Sequence, residues 1–391
     1  MNCEGRPPWA AFSLKMMTPD SEASLAFPDS VFDRRRDALR ERLGQLRLPH
    51  LLVTKPVDIF YLCGFHGSAG VLLLAPRRAR LWVDPRYTLQ AREQSRGAEV
   101  IETRQALVKA AGAWLRRARV ATLGYQDAHL TCAEFSLFRR EARGKGSGPR
   151  WQAVAALLDE LRMVKDAWEV ARIRQAGSLT ASAFREILPL VKPGVRECDL
   201  AAELEYRMKR GGAEGPAFET IVASGPRGAW PHARASGRRL GAGELVIFDL
   251  GAILASYAAD MTRTLYLGTP TRRARRLYES VAAAQQETVR SLRPGLQGGE
   301  ADAIARDALT RRGLGEYFTH STGHGVGLEV HERPRLARGD QTRMPAGSVV
   351  TVEPGVYVEG YGGVRIEDTV LIAESGPEIL TPAAHEPWFT G

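Results

Sequence analysis

The alternation of apolar and polar positions divides the chain near residue 150. Over 31–48 (VFDRRRDALRERLGQLRL), Leu39, Leu43 and Leu46 recur at helical spacing among charges, which predicts an amphipathic helix. The apolar run in LPHLLVTK predicts a short strand, and two further apolar stretches follow, VDIFYLCGF and GSAGVLLLAP. ARLWVDPRY reads as a strand ending in a turn, a helix closes over Glu93–Ala98, EVIET is strand-like and 105–118 is helical. Strands alternating with helices predict an α/β domain over 29–150. The Gly/Ser/Pro-rich stretch Glu141–Arg150 (EARGKGSGPR) marks its end.

From Trp151 the pattern turns helical, over 155–163, Ala167–Leu190 and 198–210. It then changes to strands at 217–225, 244–252 and 256–268. Helices over 272–292 and 299–313 precede two final strand patterns, 348–358 and 362–374. Residues 151–391 thus read as an α+β domain with helices on one face of a largely antiparallel sheet. No such pattern holds over 1–28, a stretch interrupted by charges. It reads as a poorly ordered extension with no signal peptide, and Met16 or Met17 could serve as an alternative start.

The strand-rich half carries the candidate chemistry. Folding 244–268 about a midpoint between 254 and 255 sets Asp249 opposite Asp260. A turn centred near Gly360 does the same for Glu353 and Glu367. Opposed residues of an antiparallel pair point to one face, a few ångströms apart. Paired carboxylates in apolar strands (VIFDL, VTVEP, VRIED) need a cation between them. Arginines such as Arg263 and Arg365 could serve, and so could metal ions.

The stretch His320-Ser-Thr-Gly-His324-Gly-Val-Gly-Leu-Glu-Val-His331 moves the balance to metal. It holds three of the eight histidines, and glycines flank the middle one. Four carboxylates and one imidazole, without sulfur, suit hard or borderline divalent ions better than structural zinc. Two such ions a few ångströms apart can share a water and acidify it to a hydroxide nucleophile.

Composition narrows the classes that remain. The 44% hydrophobic and 25% charged content is that of a soluble globular protein, and no apolar run reaches the roughly 18 residues of a membrane span. The formal charge of +9 comes from short arginine runs scattered among acidic residues, with no basic stripe interleaved with aromatics, so no nucleic-acid partner is expected. Four separated cysteines form no CxxC pair, which makes the cytoplasm the expected compartment.

At these residues the chain resembles the pita-bread metallopeptidases, the family of Xaa-Pro aminopeptidases, prolidases and creatinase. LLVTKPVDIFYLCGFHGSAG and WVDPRYTLQA resemble the creatinase/prolidase N-terminal domain. The five ligand positions of the pita-bread domain are filled by Asp249 in IFDLGA, Asp260 in AADMTRT, His324 in STGHGVG, Glu353 in TVEPGVY and Glu367 in VRIEDT. The resemblance implies two divalent metal ions, Mn²⁺ first with Co²⁺ or Zn²⁺ as alternatives. Asp260 and Glu367 would bridge them, Asp249 would chelate one, and His324 and Glu353 would complete the other.

The resemblance also assigns catalytic roles. His232 would stabilise the tetrahedral intermediate, His331 would contact the substrate near the scissile bond, and Glu353 would shuttle a proton. His320 would line the substrate pocket and Arg365 would orient the site. The implied activity is release of the N-terminal residue from short proline-containing peptides, with a homodimer expected and a prolidase confined to dipeptides as the alternative. Creatinase lacks the ligand set, methionine aminopeptidases lack such an N-terminal domain, and non-catalytic pita-bread binding modules typically lose ligands. Trp230 before Pro231-His232 and Ala258-Ala259 before Asp260 depart from the family pattern without changing a ligand.

Overall fold

A computed structural model of the chain describes residues 28–143, 146–154 and 156–385, and the backbone of 388–389. Expectations for residues 1–27 lie outside those described. The chain divides into two compact units, one ending at Arg162 and the other starting at Met163. The expected boundary between 150 and 151 falls inside a strand of the first unit.

The first unit is built on one mixed six-stranded sheet. Its strands are β1 (Leu51–Val53), β2 (Val71–Leu74), β3 (Ala79–Val83), β4 (Ala98–Glu102), β5 (Thr122–Tyr125) and β6 (Arg150–Ala153), in the order β4-β3-β2-β1-β5-β6. The pairs β1/β5, β3/β4 and β5/β6 are parallel, and β3/β4 and β5/β6 are each joined through a single helix. The first amphipathic helix, Asp29–Gln45, buries Val31, Phe32, Leu39 and Leu43. The apolar stretch VDIFYLC forms a helix, Pro56–Cys63, with Pro56 in its first turn and Gly64 at φ 79° closing it. Leu52, Leu73, Trp82, Leu123 and Phe138 meet in one core.

The second unit carries four long helices: Ala167–Ile187, Glu197–Arg210, Arg272–Ser291 and Gly298–Arg311. Asp166 caps the first of them reciprocally with Glu169. Its buried positions Val170, Ile173, Ala176, Gly177, Thr180, Ala181, Phe184 and Ile187 follow the helical repeat. Phe184 packs edge-on against Phe248 in a core shared with Leu204, Leu250 and Met261. Each such side chain contributes about 1.5–3 kcal/mol on burial.

The strands of this unit are short because the chain changes sheet often. They are β7 (Gly215–Pro216), β8 (Ile221–Ser224), β9 (Leu245–Leu250), β10 (Ala252–Leu254), β11 (Tyr257–Ala258), β12 (Met261–Leu267), β13 (Gly323–Gly325), β14 (Glu332–Leu336), β15 (Ser348–Val352), β16 (Gly355–Val358), β17 (Gly362–Arg365), β18 (Asp368–Ala373), β19 (Gly376–Ile379) and β20 (Trp388–Phe389). They form four sheets, ordered β11-β10-β7, β20-β12-β9-β8, β14-β13-β15-β18-β19 and β16-β17. All pairings in them are antiparallel except β12 with β20.

The first carboxylate hairpin needs a correction. Asp249 lies opposite Thr262, and Asp260 falls in the break between β11 and β12. The cause is the turn: Ala255 and Ser256 both adopt positive φ, 47° and 68°, so the hairpin is centred between them. The shift is by two residues, which leaves Asp260 on the face of Thr262 and Asp249. The second hairpin keeps the register read from the sequence, since β15/β18 pairs Val352 with Asp368 and β16/β17 pairs Gly355 with Arg365. Glu353 and Glu367 lie between these two ladders. Among the described residues, no helix is long and apolar enough to cross a membrane.

Candidate metal centre

Asp260, Glu353 and Glu367 reach the site from where a strand ends or is interrupted, as at Glu353 before Pro354, whereas Asp249 lies within β9, paired on both sides. His324 arrives on β13, pressed between β14 and β15. A Cβ at Gly323 would lie 2.0 Å from Thr351 O, and one at Gly325 would lie 2.1 Å from Arg333 O, so only glycine fits on either side. The imidazole Nδ1 faces Gly325 O at 3.1 Å, which fixes Nε2 as the atom turned to the carboxylates. That Nε2 lies 3.3 Å from Glu353 Oε1 and 3.7 Å from Asp260 Oδ2. Asp260, His324 and Glu367 each present a ligand atom within 4.8 Å of the others.

Arg365 makes a direct ion pair with only one of the four acids. It donates from Nη2 to Asp249 Oδ2 at 2.6 Å, from Nη1 to Tyr357 Oη at 2.8 Å and Pro231 O at 3.2 Å, and from Nε to Thr262 Oγ1. The other arginine weighed from the sequence, Arg263, donates to Asp368 and to the backbone of Thr262, Glu367 and Ala383. The carboxylates of the remaining three acids therefore have no direct pair with either guanidinium. Asp260 Oδ1 is buried and accepts no hydrogen bond.

The acidities record this imbalance. Burial, then the neighbouring Glu367 and Asp249, pushes Asp260 well above the usual carboxylate range. Burial, then Glu353 and Asp249, does the same to Glu367. Asp249 is raised by burial against the pull of Arg365. Burial also acts to raise Glu353, but its bond to His324 and the nearby His320 and Arg365 carry it below its ordinary value. His324 is raised because Glu353 outweighs its burial.

The other expected residues surround this cluster. His320 Nδ1 faces Ser321 O at 2.7 Å, and its Nε2 lies 2.8 Å from Tyr357 Oη. Its affinity for a proton is lowered, mainly by burial. The His331 ring lies 4.2 Å from that of His324 and is itself exposed. His232 is exposed on the segment after Gly225–Ala229. The buried Glu197 carboxylate anchors that segment, accepting from Ser224 N and Oγ, Ser236 N and Oγ, and Arg227 Nε.

Sequence reasoning missed Tyr357, Glu197 and three threonines, Thr262, Thr351 and Thr369. The signal for the threonines and Tyr357 was available, since each is a hydroxyl in an apolar strand within a few residues of a carboxylate. Nothing in the sequence marks Glu197, whose partners lie 27 to 39 residues away.

The family model described as "Metallopeptidase family M24" matches residues 171–374, and that for the "Creatinase/Prolidase N-terminal domain" matches 35–164. The chain belongs to metallopeptidase family M24, with a creatinase-type N-terminal domain ahead of the pita-bread domain. It is 36% identical over 356 residues to an Xaa-Pro dipeptidase of Pyrococcus furiosus, covering 89% of this chain and 99% of that protein. The solved Xaa-Pro dipeptidase of Bacillus anthracis superposes with a TM-score of 0.87 at 35% identity, over 91% of this chain and 99% of that one. The X-Pro aminopeptidase of Thermotoga maritima superposes with a TM-score of 0.81 at 34% identity, over 90% and 100%.

Proposed function

We propose that the chain is a metal-dependent dipeptidase that hydrolyses the Xaa-Pro bond. The observation that carries this reading is a cluster of four carboxylates and His324, with Asp260 and Glu367 buried and the others partly buried, in which Arg365 pairs directly with Asp249 alone among those acids. Like charges enclosed in this way are strongly disfavoured without cations among them. Oxygen donors with one imidazole nitrogen and no sulfur fit Mn²⁺, with Co²⁺ or Zn²⁺ as alternatives. Asp260 and Glu367 stand to bridge two ions, with Asp249 completing one and His324 and Glu353 the other. When bound, such ions supply Lewis acidity and lower the pKa of water towards neutrality.

The chain's own residues account for the rest. His232, exposed on a loop that Glu197 and Arg365 hold at both ends, stands to donate to the oxygen of the carbonyl under attack. His331, beside His324, stands to contact the substrate there. The proline nitrogen leaves as a secondary amine and must be protonated to depart, a task that falls to Glu353. An Xaa-Pro bond has no N–H, so a shaped pocket lined by His320 can replace a backbone acceptor. Arg365 holds Asp249 in place. The free thiols of Cys63, Cys132 and Cys198 suit a cytoplasmic enzyme.

The comparisons favour the dipeptidase over the aminopeptidase preferred from the sequence. The Pyrococcus protein and the Bacillus structure both carry the dipeptidase name. The intact acid set argues against a creatinase-type amidinohydrolase or a non-catalytic peptide-binding module.

The test is a matched pair of substrates, an Xaa-Pro dipeptide and an Xaa-Pro-Yaa tripeptide, offered after EDTA treatment and Mn²⁺ re-addition. Cleavage of the dipeptide alone supports the proposal. Cleavage of both makes the enzyme an aminopeptidase, and cleavage of neither by Mn²⁺-loaded protein removes the proline specificity.

A further inference from the structure

Two segments that carry proposed bridging ligands run past each other, Asp260–Thr262 against Glu367–Thr369. Each carboxylate residue meets a threonine of the opposite segment. Thr369 Oγ1 donates to Asp260 O at 2.7 Å and accepts from Asp260 N at 3.3 Å. Thr262 Oγ1 donates to Glu367 Oε2 at 2.6 Å, and Glu367 N donates to Thr262 O at 3.1 Å. Both threonines are fully buried.

Neither Asp260 nor Glu367 belongs to a ladder. Asp260 lies between the end of β11 at Ala258 and the start of β12 at Met261, and Glu367 lies between β17 and β18. The Asp260 peptide groups, freed from strand pairing, would be left unmet in the interior without the Thr369 hydroxyl. The Glu367 carboxylate has its orientation fixed by Thr262, whose oxygen is fixed in turn by Arg365 Nε at 3.1 Å. Valine matches threonine in shape, so a hydroxyl buried in these apolar strands is there for its bonds.

We infer that Thr369 and Thr262 are positioning residues that form a reciprocal clamp: Thr369 sets the backbone of Asp260 and Thr262 sets the carboxylate of Glu367, which together fix the spacing of the bridging pair. The clamp rests on the metal-centre reading above. Hydrogen bonds to the groups that hold a metal typically change its affinity 10–100-fold.

Mn²⁺ titration of EDTA-treated protein by calorimetry tests this, with the thermal midpoint of the metal-free form measured in parallel. Thr369→Val and Thr262→Val should each weaken Mn²⁺ binding by about 10–100-fold, while Thr369→Ser and Thr262→Ser hold wild-type affinity. Thr180→Val is the control, because Thr180 is equally buried and bonds Ala176 O and Ala252 N away from the cluster. It should lower the midpoint and leave affinity unchanged. Wild-type affinity in the two valine variants, or an equal loss in Thr180→Val, overturns the clamp. If Thr369→Val does not fold, the Thr262→Val and Thr262→Ser pair decides between the same outcomes. A wild-type protein that binds no divalent ion overturns the metal centre and the clamp together, whereas normal wild-type binding with unaffected valine variants overturns the clamp alone.

Discussion

Arg365 and Asp249 form a largely buried ion pair at 2.6 Å, in which the arginine also serves Tyr357, Thr262 and Pro231. A lysine cannot reproduce so many directed bonds, and an uncharged side chain leaves Asp249 unbalanced. Arg365→Met should therefore destabilise the metal-free protein by about 3–5 kcal/mol in denaturant unfolding. Saturating Mn²⁺ should narrow the gap, because an ion beside Asp249 replaces the missing charge.

Asp260→Ala removes one of the two acids proposed to be shared between the ions. It should abolish turnover and Mn²⁺ binding together, as read by peptide hydrolysis and by metal content after dialysis. A variant that keeps both contradicts the two-ion arrangement.

Metal removal should lower stability by mass action. An ion at about 100 times its dissociation constant stabilises the folded state by about 2.7 kcal/mol. EDTA should thus lower the thermal midpoint of the wild type and leave that of Asp260→Ala unmoved.

Tyr357 Oη lies 2.8 Å from both His320 Nε2 and Arg365 Nη1, so it joins the expected pocket histidine to the pair that holds Asp249. Tyr357→Phe should cost about 1–3 kcal/mol through the unmet partners. It should also reduce kcat/KM by about 10–100-fold, while metal content stays at the wild-type level.

The thiols give a prediction with a pH sign. Burial pushes the Cys63 thiol up to about 11, whereas Cys132 is exposed. A thiol reagent at pH 8 should modify Cys132 in the native protein and reach Cys63 only after unfolding. The folded value lies above the ordinary 9.0, so the stabilisation from Cys63 is complete below pH 9 and is lost as pH rises towards 11. The loss amounts to about 3 kcal/mol, measurable as a fall in unfolding free energy that Cys63→Ala removes.

The amphipathic helices were legible in the chain because burial repeats at 3.6 residues, and both carboxylate hairpins because apolar strand patterns flank a turn on either side. The turn of the first hairpin was not, since Ala255 and Ser256 are not residues that announce positive φ, and the register read from them was off by two. VDIFYLC carries no alternation, and Pro56 and Gly64 decide it as a helix. The grouping of His324 with the acids is what the resemblance to the pita-bread metallopeptidases implies. Glu197 and the Tyr357 link depend on tertiary proximity, which periodicity does not encode.

At Glu353 and Glu367 both strands of the second hairpin leave one sheet and enter another. With no ladder of their own there, these residues borrow partners: Glu353 N donates to Thr322 O, just before β13, and Glu367 N donates to Thr262 O, on β12. The acids are thus moored beside β13, which carries His324, and to β12, which begins directly after Asp260. A displacement of either element drags a carboxylate with it, so the spacing between the proposed ligands registers the relative position of two sheets, and a distant mutation that tilts one against the other would retune the proposed centre without touching it.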